Sequence, residues 1–289
     1  MIKDTNVSCE IESSDADRQI LPWGVTLVNP HQSFGGGGRI INVAVIDSGV
    51  YANHPDLEGR VIRQHSIICQ NDSFDDVAGH GTAVAGIIAA HGNNSPVVGV
   101  SQNVAIYSII VATSEGRVNR DDFVSGIEWA IENDVDIINI SLGFARDSDG
   151  LRQVIDRAIN QGIAVIAASG NTRGLNALYP ARYENVISVG SINQSYEISS
   201  KSAIGKIDFV APGVDILSLT PCGGYDLFEG SSFAAAFVTG IVAEYLSYND
   251  IQRDEHTQSA IFNYLISISQ PLNDSEERVG NGVPVIEER

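Results

Sequence analysis

"VDIINISLGFARDSDGLRQVIDRAINQGIAVIAASGN", residues 135–171, decides the fold. It opens on a short, mainly apolar run, "VDIINISLG", that reads as a strand. "LRQVIDRAINQG" follows as a helix capped by Gly162, and "IAVIAASG" is a second apolar strand. A strand with one wet face alternates apolar and polar residues, whereas one covered on both faces is apolar throughout. Two such strands joined by a helix therefore predict a parallel pair with a crossover helix.

The pattern extends in both directions. Upstream, "INVAVID" (41–47) and "VAIYSIIV" (104–111) read as buried strands, and "GTAVAGIIAAH" (81–91) as a helix. "DDFVSGIEWAIEN" (121–133) is a helix with Phe123, Ile127, Ala130 and Ile131 on one face. Downstream, "VISVGSI" (186–192) and "IDFVAPG" (207–213) add strands. The expected fold is α/β: a single domain with a mainly parallel sheet and helices on both faces. The 289 residues suit one such domain. Residues 1–20 are polar and acidic and read as an N-terminal extension, leaving 21–289 as the domain. No internal repeat is visible. "GGGG" at 35–38 lacks the Lys-Ser or Lys-Thr of a phosphate loop.

The formal net charge of −19 repels phosphates, so nucleic acid is not an expected partner. No run of about 18 apolar residues suggests a membrane span, and the N-terminus has no apolar leader core. Cys9, Cys69 and Cys222 are odd in number and lack metal spacing. Free thiols in a cytoplasmic protein are the simplest expectation.

In open parallel sheets, chemistry gathers at the carboxyl ends of the strands. Asp47 ends "NVAVID", Ser141 ends "INIS" and Asn171 follows "VIAASG". His80 sits between Gly79 and Gly81, which let the backbone turn and leave the ring approachable. "GSSFAAAF", Gly230–Phe237, starts another helical pattern with two adjacent serines. Singly, these are ordinary: an Asp after a strand is usually a cap, a lone His is usually structural, and Gly-Ser-Ser before a helix is usually an N-cap. Together they supply what a serine nucleophile needs. A hydroxyl is weak until an imidazole takes its proton and a carboxylate orients that imidazole.

"VAVIDSGVYANHPDL", "GHGTAVAG", "SLG", "SGN" and "GSSFAAAF" resemble the active-site blocks of the subtilisin-like serine proteases, in that family's Asp, His, Ser order. The resemblance runs from about Leu21 to Val283, and "ISSKSAIGKIDFVAPGVDILS" is similar to the intracellular branch. It implies that Asp47 orients His80, that His80 is general base and then acid, and that Ser232 attacks. Ser231 falls on the threonine of the family's Gly-Thr-Ser-Met-Ala-Ala-Pro. Asn171, with the Ser232 backbone N–H, would bind the oxyanion.

The chain departs from the family at Phe233 for Met, Ala236 for Pro, Phe237 where many members have His, and Ala83 for the second His of the His block. None removes a triad atom. Alanine at 236 would relax the first helical turn that proline fixes.

The same matching implies a cleft. Ser141, Leu142 and Gly143 face Ala168, Ser169 and Gly170 as walls of the primary pocket, with Leu178 near its floor. Gly116, Arg117 and Val118, with Asn119, resemble the edge strand that pairs with extended substrate. Arg117, Arg146 and Arg173 would surround the cleft and attract acidic substrate residues; surface arginines are more commonly just solvated. "HGNNSPVV" (91–98) resembles the family's calcium loop, implying Ca2+ held by Gln19, Asp56 and Asn93 with the loop at His91, Ser95 and Val97. A metal-free polar loop is the plain alternative. Zinc on His80 and His91 fails, since eleven helical residues span roughly 16 Å.

The expected function is a serine endopeptidase acting on peptide or protein through an acyl-enzyme, selective in its targets, for example a leader peptidase. No separate inhibitory prodomain is read in the sequence. A transpeptidase or cyclase on the same acyl-enzyme, or an inert peptide-binding pseudoprotease, are the competing classes.

Overall fold

In the computed structural model, residues 21–31, 37–68, 76–92 and 95–288 are described. The elements needed to place the site are α1 (Trp23–Val28), β1 (Ile41–Asp47), β2 (Val61–Ser66), α2 (His80–Ala89), β3 (Val104–Ile110), α3 (Arg120–Glu132), β4 (Ile137–Ile140), α4 (Asp149–Asn160), β5 (Ala164–Ala168), β6 (Ile187–Ile192) and β7 (Phe209–Pro212). A hairpin of β8 (Ile216–Leu219) and β9 (Tyr225–Phe228) precedes α5 (Ser231–Tyr248), and α6 (Thr257–Ser267) follows.

The seven strands β1–β7 form one sheet in the order β2-β3-β1-β4-β5-β6-β7, and every pairing is parallel. Successive side chains of a strand point to opposite faces, and β1 shows the result. Ile41, Val43 and Val45 join the core beneath α2 and α5, whereas Ala44 and Ile46 join the core beneath α3 and α4. The unbroken apolar strands are thus explained by helices on both faces. Strand order reverses at β1, with β3 on one side and β4 on the other, so Asp47 at its carboxyl end stands at the switch point of the sheet.

Two helices approach the sheet unusually closely. All ten residues of α2 are buried, and all of α5 except Tyr245 and Tyr248. Small side chains make this possible. A Cβ on Gly240 would lie 2.5 Å from Val100 Cβ, and one on Gly86 would meet Leu219 Cγ at 2.5 Å. α5 runs without interruption through Ala236, so the residue at the proline position leaves the helix regular. Phe237 is fully buried against Gly24 of α1.

Several expectations need adjusting. The helix read through His91 ends at Ala89, and His91 instead forms a bridge with Val98. Gly116 and Arg117 close a tight turn through Ser114 and Glu115 and are not part of a regular edge strand. Gly116 has φ +69° and donates to the Thr113 carbonyl, Thr113 N–H donates to the Arg117 carbonyl, and Val118 forms an isolated bridge with Ala112. Cys222 is disulfide-bonded, so the expected set of free thiols is wrong at that position. Cys9, Cys69 and the N-terminal extension lie outside the described residues. No described helix is long and apolar enough to cross a membrane.

Candidate active site

Asp47 ends β1 fully buried, and His80 is the first residue of α2. Gly79, at φ +76°, turns the chain into that helix. A Cβ on Gly81 would fall 2.0 Å from the Gly49 carbonyl oxygen, so glycine there lets the first turn of α2 ride on the end of β1. The result is a hydrogen bond from His80 Nδ1 to the Asp47 carboxylate, at 2.8 Å to Oδ1 and 2.9 Å to Oδ2. With the Nδ1 proton committed to Asp47, the neutral ring keeps its lone pair on Nε2.

Burial of the His80 ring pulls its pKa down, but the Asp47 charge and hydrogen bond and the Asp76 charge outweigh it, and the net shift is upward. The helix N-terminus opposes protonation with a partial charge of only about half a unit.

Ser232 lies in the first turn of α5, 8 % exposed. It lines, with His80, a cavity of about 590 Å³. Its hydroxyl donates to the Ser141 carbonyl at 2.9 Å. Rotation about χ1 would be needed to present it to His80; resting enzymes often hold such bonds loosely before substrate arrives. The backbone N–H of Ser232 belongs to the helix's first turn, where no intrahelical carbonyl is available.

Ser231 has a different position. Its N–H and hydroxyl donate to Asn171 Oδ1 at 3.0 and 3.2 Å, and its oxygen accepts from Gly170 N–H at 3.0 Å. Because an N–H must meet the amide oxygen, these bonds fix the flip of Asn171 and leave Nδ2 as its free donor. Gly230 is required beside it: at φ +147°, a Cβ there would lie 2.8 Å from Asn171 Nδ2.

Ser141, Leu142, Gly143, Ala168, Gly170 and Leu178 all line the cavity. Ser169 is fully buried outside the lining, and its carbonyl accepts from Leu178 N–H at 2.8 Å. Leu178 fits between the two walls. A Cβ on Gly143 would meet Leu178 Cβ at 2.7 Å, and one on Gly170 would meet its Cγ and Cδ1 at 2.8 Å. Phe233 packs between His80 and Phe228, with ring centroids 5.2 Å from each.

Of the three arginines, Arg173 alone lines the cavity. Arg117 is paired with Glu115 at 3.3 Å. The Thr113 hydroxyl and Arg117 hold the Glu115 carboxyl down at about 2. Arg146 offers its carbonyl to Arg120 and is absent from the lining, as are Gly116 and Val118. The sequence reading missed Lys201 and Glu229, an ion pair at 2.7 Å on the cavity wall, and Asp76, buried behind His80. Glu229 was findable, since it immediately precedes the Gly-Ser-Ser block.

Asp56 is 4 % exposed, and its Oδ2 accepts from the hydroxyls of Ser95 and Tyr225. The Ser95 hydroxyl also lies 3.2 Å from the Val97 carbonyl, and His91 N–H donates to the Asp56 carbonyl at 2.9 Å. Hard oxygen donors from Asp56 and this loop therefore do converge, which suits calcium. Gln19 and Asn93 lie outside the described residues. Among the described residues no cluster of three or more His, Cys, Asp or Glu is poised for a metal.

Known proteins resemble this chain over most of its length. The Subtilase family profile matches residues 38–282. Subtilisin DY of Bacillus licheniformis is 37 % identical over 89 % of this chain and 94 % of its own. Subtilisin NAT of Bacillus subtilis subsp. natto is 39 % identical over 79 % of this chain and 62 % of its own. A thermostable alkaline protease of Halalkalibacterium halodurans is 37 % identical over 90 % and 74 % respectively. The chain belongs to the subtilase family and is a serine endopeptidase.

Proposed function

We propose that this peptidase cuts peptide bonds by nucleophilic attack of Ser232, with His80 as base and Asp47 as its orienting carboxylate. The observation that carries the reading is the buried Asp47–His80 hydrogen bond at the wall of a cavity shared with Ser232 and Asn171. Ser232 Oγ turns from the Ser141 carbonyl, passes its proton to His80 Nε2 and bonds to the scissile carbonyl carbon. Negative charge then develops on the carbonyl oxygen between Asn171 Nδ2 and Ser232 N–H. His80 returns the proton to the leaving nitrogen as the C–N bond breaks, leaving an ester on Ser232. Water, deprotonated by His80, releases the acid. For the corresponding asparagine of subtilisin, loss of the donor is known to cost about 10²–10³ in turnover.

We further propose a selective enzyme of the processing type. Leu178, held between Gly143 and Gly170, shortens the pocket and disfavours large aromatic residues before the cut. Arg173 and Lys201 supply the positive charge on the cavity wall, with Lys201 partly neutralised by Glu229, so acidic preference is expected only where substrate touches Arg173. A structural calcium at Asp56 and the 91–97 loop also belongs to the proposal, supported by converging oxygens. Asp56 and oxygens of the 91–97 loop would hold the cation, which would tie that loop to the Pro55–Leu57 turn. The cytoplasmic placement expected from free thiols would require Cys222 to be reduced in the cell.

Four outcomes are expected. A fluorophosphonate labels the wild type and Ser231→Ala but not Ser232→Ala; full-rate labelling of Ser232→Ala overturns the nucleophile assignment. The acid limb of the labelling rate has its midpoint above 6.5, because His80 is a base only when neutral and its pKa is raised; a midpoint below 6.5 contradicts that. Leu178→Gly raises kcat/KM for peptides with Phe or Tyr before the cut by about tenfold, or about 1.4 kcal/mol, within the roughly 1–3 kcal/mol that overpacking costs, while an unchanged ratio removes the pocket argument. Chelation lowers Tm, and Asp56→Ala abolishes most of that response; a Tm indifferent to chelator means the loop works without metal.

A further inference from the structure

Asp76 lies four residues before His80, 2 % exposed, and it touches neither the cavity nor the His80 ring nitrogens. Its carboxylate is fully engaged. Oδ1 accepts from Ser48 Oγ at 2.7 Å and Gly79 N–H at 2.9 Å. Oδ2 accepts from Thr82 N–H at 2.8 Å and Thr82 Oγ1 at 2.6 Å. The two hydroxyls have their own donors: Gly81 N–H donates to Ser48 Oγ at 3.1 Å, and Tyr51 N–H to Thr82 Oγ1 at 2.9 Å. Each hydroxyl therefore spends its single proton on Asp76. Four donors on two oxygens are the partners of an ionised carboxylate, since a carboxylic acid would need an acceptor for its own proton.

These bonds join two elements. Ser48 immediately follows Asp47, whereas Gly79 and Thr82 frame the first turn of α2 around His80. Ser48 Oγ also lies 3.2 Å from Asp47 Oδ1, a poorer contact than its 2.7 Å bond to Asp76. Asp76 thus draws the Ser48 proton away from Asp47, whose oxygens remain available to His80 and to Ser48 N–H, at 2.7 Å.

We propose that Asp76 is a positioning residue for the Asp47–His80 pair: an ionised carboxylate that straps the first turn of α2 to the end of β1 through Ser48 and Thr82 and keeps the Ser48 hydroxyl off Asp47. The proposal rests on the reading of His80 as the base. Its charge also acts on His80. Burial lowers the His80 pKa, Asp47 raises it by charge and hydrogen bond, and Asp76 raises it further. Burial raises the Asp76 pKa, the Thr82 and Ser48 bonds lower it and the Asp47 charge raises it again, for a net upward shift; the four donors are what identify the ionised form. The other ionisable groups on elements packed against α2 are Glu244 of α5, which accepts from Ser101 Oγ, Tyr245 and Tyr248 of α5, Tyr107 of β3, and Asp56 in the Pro55–Leu57 turn, which is held by Ser95 and Tyr225. β8 carries none.

The test is the pH dependence of fluorophosphonate labelling of the full chain, which needs no knowledge of the natural substrate. Absence of labelling in the wild type would count against the peptidase reading itself, whereas the comparison with Asp76→Asn isolates the proposal. In folded Asp76→Asn the acid-limb midpoint moves down by about one pH unit, the size expected for removing a nearby charge, and the plateau rate falls several-fold. A midpoint that stays where it is in wild type overturns the proposal, because a residue that merely supported the fold would lower the plateau without moving the limb. Should Asp76→Asn fail to fold, Ser48→Ala, which cuts the strap and leaves both carboxylates, carries the test through the low-field proton resonance of the Asp47–His80 bond. Under the proposal that resonance shifts and exchanges faster; an unchanged resonance overturns it.

Discussion

The contact on which the rest of the structure depends is the buried hydrogen bond between Asp47 and His80 Nδ1. Its two partners come from different elements, a central strand and the first turn of a helix, and neither can move independently. Asp47 is fixed by parallel pairing of β1 to β3 and β4. His80 is fixed because α2 rests so closely on the β1 end that even a methyl on Gly81 would strike the Gly49 backbone. Catalytic geometry here is a consequence of packing at the level of single carbon atoms. The alanines and glycines of α2 and α5 take no part in chemistry, yet they let both helices deliver their N-termini to the same edge of the sheet.

That edge concentrates two opposite electrostatic requirements. In the proposed mechanism the oxyanion position needs positive partial charge, which the start of α5 and the Asn171 amide would supply without any cation. The proposed base needs negative charge behind it, which Asp47 would supply from a fully buried site. A chain with net charge −19 carries its acidity mostly at the surface, where salt screens it. The buried carboxylates act at short range and are not screened in that way. Phe233 packs beside the His80 ring, with centroids 5.2 Å apart and planes tilted by 48°.

The sheet was legible in the sequence because buried parallel strands have no polar face. "INVAVID", "VAIYSIIV" and "IAVIAASG" are apolar on both sides for the physical reason that two helical layers cover them. The hairpin of β8 and β9 was not, since its strands are only four residues long and in β9 the apolar Tyr225 and Leu227 are the exposed side chains, so the letters do not report the buried face. Gly116–Val118 is not a regular strand, because Gly116 at positive φ closes a turn just before it and only an isolated bridge at Val118 follows. Asp47 and Asn171 stood out as polar residues at the ends of apolar strands, and His80 and Ser232 by their places at the starts of helical patterns after glycine. Asp76 was not, because its importance lies in four hydrogen bonds made by residues distant in the chain or across a helix turn. Ser169 was assigned to the pocket wall by family resemblance, but alternate residues of an extended segment face opposite ways, and it is fully buried outside the lining.

The most direct measurement is a crystal structure of the enzyme after phosphonylation, in which phosphorus stands for the tetrahedral carbon of the reacting peptide. The account predicts a covalent bond from Ser232 Oγ to phosphorus, with that oxygen withdrawn from the Ser141 carbonyl, and a phosphoryl oxygen held between Asn171 Nδ2 and Ser232 N–H beside an intact Asp47–His80 bond. An adduct on any other side chain, or a phosphoryl oxygen turned away from Asn171, would contradict it.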